Sequence, residues 1–183
     1  MVRGKHPGRA NLRVIALALA LGFIHGGVAL AQKDLRWRFL PRKQRPVQPP
    51  SDFALRVLEL VNKERVKWGC RPLRMKSLLN DAAFEHSRDM ARHHFMSHTG
   101  ADGSQPGDRM TRAGYEWMKS AENIAAGYTS PESVVNGWMK SPGHRANILD
   151  CSFRDTGVGY VEVEDGSWRG DHHYWTEVFG IPR

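Results

Sequence analysis

The chain has 183 residues, enough for one domain with additional segments, and a formal net charge of +8. Residues 1–50 hold ten Lys or Arg and one Asp, a sum of +9, whereas residues 51–183 hold seventeen Lys or Arg and eighteen Asp or Glu, a sum of −1. The positive charge therefore belongs to the N-terminal segments. The near-neutral remainder lacks the basic face that nucleic-acid binding requires, so no nucleic-acid partner is expected.

Residues 1–31 predict a signal peptide. A basic n-region precedes an apolar stretch at 14–24, and an Ala-Leu-Ala sequence at 29–31 fits a small-x-small cleavage site. We therefore expect a secreted protein whose mature chain begins near Gln32. An uncleaved membrane anchor is the disfavoured alternative, because His and Gly residues at 25–27 interrupt the apolar run.

Residues 32–50 are expected to form a basic, proline-rich linker. Six cations and four prolines accompany one acid, Asp34, and such a segment cannot bury enough apolar surface to fold alone. A solvated spacer is the ordinary role of this composition. The alternative is electrostatic contact with an anionic surface, since the cations are closely spaced.

Hydrophobic periodicity predicts the helices of the remaining domain, residues 51–183. We expect helices from the cap Ser51 or Asp52 to Gly69, from Ser77 to His94, from Gln105 to Ala113, from Pro131 to the break at Ser141, and a short helical turn over His144 to Leu149. His86 lies in the apolar stripe of the second helix. A histidine at such a position ordinarily donates to a backbone carbonyl inside the core.

Strand composition is concentrated in the C-terminal part of the domain. Val158 to Val163 and His173 to Phe179 predict two strands around a turn at 164–166, and Ile124 marks a third strand, all antiparallel. Helices first and strands last indicate an α+β fold in which helices cover a small antiparallel sheet. We expect this domain to be a monomer.

Cys70 and Cys151 are the two cysteines of the chain. In an exported protein an even number of cysteines indicates a disulfide, and two cysteines allow one pairing. The bond would close a loop of about 80 residues. By restricting the unfolded chain it would stabilise the folded state by roughly 4–4.5 kcal/mol. A metal or redox site is less favoured, because the spacing matches neither a CxxC motif nor a zinc knuckle.

Five ordered motifs carry a family resemblance. They are Phe-Met-Ser-His-Thr-Gly at 95–100, Glu-Asn-Ile-Ala at 122–125, Trp-Met-Lys-Ser-Pro-Gly-His-Arg-Ala-Asn-Ile-Leu at 138–149, Gly-Val-Gly-Tyr at 157–160 and Tyr-Trp-Thr-Glu-Val-Phe-Gly at 174–180. Together they resemble the CAP superfamily of SCP/TAPS, cysteine-rich secretory and pathogenesis-related 1 proteins, in its bacterial secreted branch. The likeness covers about residues 53–180 and implies an α-β-α sandwich with a central cleft.

The resemblance also implies the contents of the cleft. In eukaryotic members the cleft carries two histidines and two acids, and some members bind a divalent metal. His98 and Glu122 match the first histidine and the first acid. The chain departs from the pattern at the other two positions: Tyr174 occupies the second histidine position, and Ser141 stands where an acid follows Trp138 by three residues.

His144 and Glu177 are the residues that would restore the set from other positions. We therefore predict a cleft of His98, Glu122, His144 and Glu177, in which His98, His144 and Glu122 hold Zn²⁺ or another divalent cation. Asn123, Arg145, Asn147 and Tyr174 are expected to support it. The alternative is a buried polar network without metal, in which each member satisfies another.

The leading interpretation is a secreted binding protein whose cleft takes a divalent metal and a lipid or cell-envelope ligand. One alternative is a metal-dependent hydrolase of envelope peptides or polysaccharide, acting through a metal-bound water. Another is a purely structural or interaction module. A Ser-His-Asp hydrolase is not favoured, since no nucleophile elbow surrounds Ser97 or Ser141.

Overall fold

The computed structural model describes residues 51–163 and 173–183. Every described residue belongs to one compact unit, Val47–Arg183. The sheet, the apolar core and the disulfide all lie within this unit, which therefore contains what it needs to fold on its own. The predicted signal peptide, the whole of the predicted linker and the predicted turn at 164–166 lie outside the described residues.

The described residues contain five helices, all of them expected from the sequence. They are α1 (Asp52–Lys67), α2 (Ser77–His93), α3 (Pro106–Arg112), α4 (Pro131–Lys140) and α5 (Pro142–Leu149). The Ser51 side chain accepts a bond from the Ala54 N–H, so α1 has the predicted cap. Helix α5 begins two residues earlier than predicted, because Pro142 is a favourable first helical residue as well as a break in α4.

Within the described part of the chain, four strands form one sheet in the order β1-β3-β4-β2. They are β1 (Arg74–Met75), β2 (Trp117–Ala126), β3 (Asp155–Glu162) and β4 (His173–Pro182). The three longer strands pair antiparallel as expected, but β1 pairs parallel with β3, so the purely antiparallel sheet was wrong and the sheet is mixed. A strand of two residues is too short to show a hydrophobic period, which is why the sequence did not reveal it.

Two glycines let α2 lie directly on one face of the sheet. A Cβ on Gly157 would come within 2.1 Å of the Leu79 carbonyl carbon, and one on Gly159 within 2.3 Å of the Ala83 carbonyl carbon. Only glycine permits backbones to approach this closely. Leu79 and Ala83 pack there against Val178 of β4, in a cluster that also includes Met110 of α3.

Helices α1, α4 and α5 supply the core on the opposite face. Their buried residues pack with Trp175 and Phe179 of β4 and include Val57, Val61, Trp138 and Ile148. The Cys70–Cys151 disulfide is present, with a Cα–Cα distance of 4.9 Å, and it ties the end of α1 to the end of α5. Helices on both faces of the sheet give the predicted α-β-α sandwich and confirm the α+β class. No helix among the described residues is both long and apolar enough to cross a membrane.

Candidate functional site

Glu122 is the centre of a buried ionic cluster at the edge of the sheet. It lies on β2, an edge strand, and the register pairs it with Val178 on the face covered by α2. Its side chain is 1% exposed. The carboxylate accepts a bond from His98 Nδ1 at 2.8 Å through Oε1, and one from Arg109 Nη2 at 2.7 Å through Oε2. Both oxygens of the predicted first acid are therefore engaged.

Arg109 of α3 holds the loop that carries His98. Its Nη2 donates to the His98 carbonyl oxygen at 2.9 Å, and its Nη1 donates to the Ser104 carbonyl oxygen at 2.7 Å. The residue is 7% exposed, so its charge is balanced inside the protein by Glu122. Arg109 was not among the predicted site residues. The signal available was a cation beside the buried Met110 in a short helix, which is too weak to stand alone.

His86 lies beneath this cluster, in the core position expected for it. It is fully buried on α2, and its Nε2 donates to the Ser97 carbonyl oxygen at 2.9 Å. The same nitrogen is 3.8 Å from Glu122 Oε1. Burial lowers the pKa of His86, more than the neighbouring Glu122 carboxylate raises it. His86 therefore stays neutral and fixes the peptide that precedes His98.

His144 approaches the cluster from α5. It is half-buried, and burial first, then the nearby His98, lowers its pKa, so the imidazole is neutral near pH 7. Asn123 Nδ2 donates to the His144 carbonyl oxygen at 3.2 Å. Asn147 Nδ2 bonds Asn123 Oδ1 at 2.9 Å and the Glu122 carbonyl oxygen at 3.3 Å. The two amides thus join α5 to β2 and place His144 near His98.

The structure does not bring Glu177 to this group. Glu177 lies opposite Asn123 and Val158 in the sheet register, whereas Glu122 lies opposite Val178, so the sheet separates the two acids. Burial raises the pKa of Glu177 to about 8. Thr156 Oγ1, at 3.4 Å, is its hydrogen-bond partner among the described residues. The expectation that Glu177 restores a second acid to the cleft is thereby corrected.

The other two predicted supporting residues, Tyr174 and Arg145, have contacts of different kinds. Tyr174 is buried on the Glu122 face of β4, where it packs with Met90 and Ile124. At the position where the family resemblance implies a second histidine, this chain therefore has a tyrosine that belongs to the core. Arg145 does not face the cleft, because its guanidinium stacks on the Trp68 ring, 4.7 Å from the centroid.

A cleft of about 370 Å³ opens beside the cluster along the free edge of β2. Its polar lining includes His98, Gln105, Asp108, Ser120 and Glu122, and Trp117 supplies an aromatic wall. Because the Glu122 carboxylate only accepts, His98 Nδ1 carries the proton and Nε2 is the basic nitrogen. With a side chain 51% exposed, His98 can offer Nε2 to a ligand or accept a proton from one.

The predicted three-ligand metal set is not formed. No group of three or more His, Cys, Asp or Glu residues among the described residues could hold a metal ion. Glu122 already accepts bonds from His98 and Arg109, which leaves His98 and His144 as two neighbouring imidazoles. Zinc sites normally use three or four protein ligands, so these residues do not fit the predicted centre as it stands.

A three-layer α-β-α sandwich, with a histidine and an acid paired at the edge of its sheet, defines the CAP class of domains. The sequence model of the cysteine-rich secretory protein (CAP) family matches residues 58–179, and the chain belongs to this family.

Three bacterial proteins illustrate the likeness. The protein YkwD of Bacillus subtilis (strain 168) is 40% identical over 129 residues, which cover 70% of this chain and 47% of YkwD. An extracellular SCP-domain protein of Bacillus anthracis str. Ames is 28% identical with a TM-score of 0.63, over 74% of this chain and 44% of that one. An outer surface protein of Borrelia burgdorferi shares the fold at 20% identity and a TM-score of 0.63, over 69% and 90% of the two chains. The chain spans less than half the length of the curated relatives it matches.

Proposed function

We propose that this chain is an exported CAP-domain protein that binds a polar fragment of the cell envelope in the cleft beside β2. The observation that carries the proposal is the ionic cluster of Glu122, His98 and Arg109 at the wall of an open cleft. Desolvating a carboxylate and a guanidinium costs several kcal/mol per ion, and apolar residues would stabilise a merely structural wall equally well. A cluster of this kind in a cleft is typical of a binding site.

The lining of the cleft favours a sugar or a short peptide as ligand. Gln105, Ser120 and Asp108 provide an amide, a hydroxyl and a carboxylate, while Trp117 offers an aromatic surface. Sites for such ligands combine a few placed polar groups with an aromatic side chain. Pro106, Gly107 and Ala121 add apolar surface to the same cleft, so binding of an acyl chain is the competing outcome of the test.

Calorimetric titration of residues 47–183 with soluble peptidoglycan fragments tests the proposal. His98→Ala removes the exposed imidazole and Ser120→Leu places bulk in the cleft, so each should weaken binding tenfold or more. His93→Ala is the matched control: its side chain is equally exposed, at 52%, but it bonds Asp89 outside the cleft. Saturable binding of a fatty acid in place of the fragments would favour lipid, and no binding of either would contradict the proposal.

Export is supported by the predicted signal peptide and by the extracellular description of the Bacillus anthracis relative. N-terminal sequencing of protein recovered outside the cytoplasm should begin near Gln32. Recovery of the uncleaved chain in the membrane fraction would indicate the anchor instead.

A divalent cation is the second candidate ligand, favoured by one observation: Glu122 holds His98 Nδ1, so Nε2 is the nitrogen that a cation could take, and His98 is close enough to His144 to lower the pKa of that imidazole. A carboxylate behind a histidine is a common arrangement around bound zinc. Zinc titration of the wild type, His98→Ala and His144→Ala tests this, with tenfold weakening expected in each variant. Absence of uptake near neutral pH would leave the polar network. The metal-dependent hydrolase stays a prediction.

A further inference from the structure

A second surface of interest lies where α1 ends, on the side of the domain that carries the disulfide. It consists of Val66, Lys67, Trp68, Arg71 and Arg145, called here the Trp68 patch. Val66 is 58% exposed and Trp68 is 54% exposed. The Arg145 guanidinium covers one part of the Trp68 ring at 4.7 Å, so aromatic and cationic surface are presented together.

The cations of the Trp68 patch are poorly balanced. Lys67 has an acidic partner, Glu64 at 3.6 Å. Arg71 and Arg145 form no ion pair within residues 51–163 and 173–183. Because residues 51–183 as a whole carry a net charge of −1, this local excess is a feature of one surface and not of the domain.

The patch is held rigidly from below. The buried Arg65 donates to the carbonyl oxygens of Arg71, Ile148, Asp150 and Phe153, at distances from 2.6 to 3.3 Å. The Cys70–Cys151 disulfide crosses the same junction. The end of α1 and the end of α5 therefore move together. Because the backbone under the patch is already fixed, binding through the patch requires little further ordering of the backbone.

We propose that the Trp68 patch docks on an anionic membrane surface, with Trp68 and Val66 in the interfacial layer and Lys67, Arg71 and Arg145 at lipid headgroups. The indole suits this layer because it is apolar with one polar N–H. Each cation near an anionic leaflet contributes about 1 kcal/mol. A soluble anionic polymer would engage the cations but gain little from the aliphatic side chain of Val66. The membrane therefore accounts for both components of the patch.

The test is co-sedimentation of residues 47–183, prepared with the disulfide intact, with phosphatidylcholine vesicles that contain or lack phosphatidylglycerol. The wild type should bind the anionic vesicles and be released by salt. Arg71→Gln should weaken partitioning about fivefold, the equivalent of one cation. Val66→Ser should weaken it about tenfold, because it removes apolar surface that would leave water, and it leaves the Trp68–Arg145 contact in place.

Met118→Ser and Arg92→Gln are the matched controls, because both residues are exposed and lie outside the Trp68 patch. Both should partition like the wild type. The proposal is overturned if the wild type ignores anionic vesicles, or if the patch variants bind as well as the controls. Binding to soluble polyphosphate that falls in Arg71→Gln but not in Val66→Ser, without vesicle binding, would assign the surface to a polymer instead.

Discussion

The ionic cluster predicts that Arg109 is among the most important single side chains for stability. Replacing Arg109 by Met preserves much of its length but leaves the Glu122 carboxylate, 1% exposed, without its cation. The substitution also removes the bonds to the carbonyl oxygens of His98 and Ser104, at 2.9 and 2.7 Å. The loop that carries His98 then loses its buried attachment to α3, and the exposed Arg112–Asp102 pair is what remains of the ion pairing between them.

The expected size follows from the contacts that are lost. Breaking a buried ion pair from one side costs about 3–5 kcal/mol, because the remaining charge stays desolvated. That range already includes the two lost hydrogen bonds to carbonyl oxygens, which contribute about 1 kcal/mol each. We therefore expect Arg109→Met to lower the free energy of unfolding by about 4 kcal/mol. Total stabilities are about 5–15 kcal/mol, so this loss is a large part of the whole.

Urea unfolding of residues 47–183 measures the effect, with Arg112→Met as the matched control on the same helix. Arg112 pairs with Asp102 at 2.7 Å, but both side chains are more than half exposed, so its loss should cost about 0–1 kcal/mol. In a double-mutant cycle with Glu122→Gln, the two changes should fall short of additivity by about 2–3 kcal/mol. An Arg109→Met loss no larger than that of Arg112→Met, or full additivity, would refute the reasoning.

Three further predictions concern stability. Burial raises the pKa of Glu177 to about 8, so the folded state holds a proton that the unfolded state releases above pH 4.5, and stability falls as pH rises from about 4.5 to 8. Glu177→Gln should flatten that pH dependence in denaturant titrations and raise the free energy of unfolding by roughly 1–3 kcal/mol at pH 8. An unchanged slope of the free energy of unfolding against pH would contradict the prediction. Cys151→Ser should cost roughly 2–5 kcal/mol, and the non-reduced wild type should contain no alkylatable thiol. Gly157→Ala should cost about 3 kcal/mol or more, because its Cβ would lie 2.1 Å from the Leu79 carbonyl carbon; near-wild-type stability would show that α2 can shift.

Local signals account for the parts of the fold that the sequence predicts well. The helix starts follow from Ser51 and Ser130, whose side chains accept bonds from the first turns of α1 and α4. The antiparallel pair β3 and β4 follows from strand composition on both sides of the turn that the sequence predicts at 164–166. The parallel strand β1 was missed because it extends over two residues only. The helix predicted from His144 starts two residues late, because Pro142 both ends α4 and begins α5, and the sequence pattern indicates only the first of these roles.

The error over Glu177 has a different origin. Side chains of a strand alternate, so residues three apart lie on opposite faces. Tyr174 and Glu177 are three apart on β4, and the resemblance already placed position 174 in the cleft. The alternation alone therefore excluded Glu177 from that side of the sheet. The register between β4 and β2 places Glu177 opposite Asn123 and not opposite Glu122. No pattern in the sequence encodes that register.

Arg109 bears on the absence of the second histidine and the second acid from the cleft. A carboxylate as buried as Glu122 requires a compensating cation, and in this chain a guanidinium from α3 supplies it at 2.7 Å. A divalent ion beside His98 and His144 would add two charges next to that guanidinium, with Glu177 beyond the sheet. The loss of the second histidine and second acid is thus consistent with a cluster whose charge is already balanced. An accessible imidazole at the wall of the cleft, with Nδ1 held by Glu122, is what the proposed ligand recognition requires, and that recognition does not depend on a bound metal.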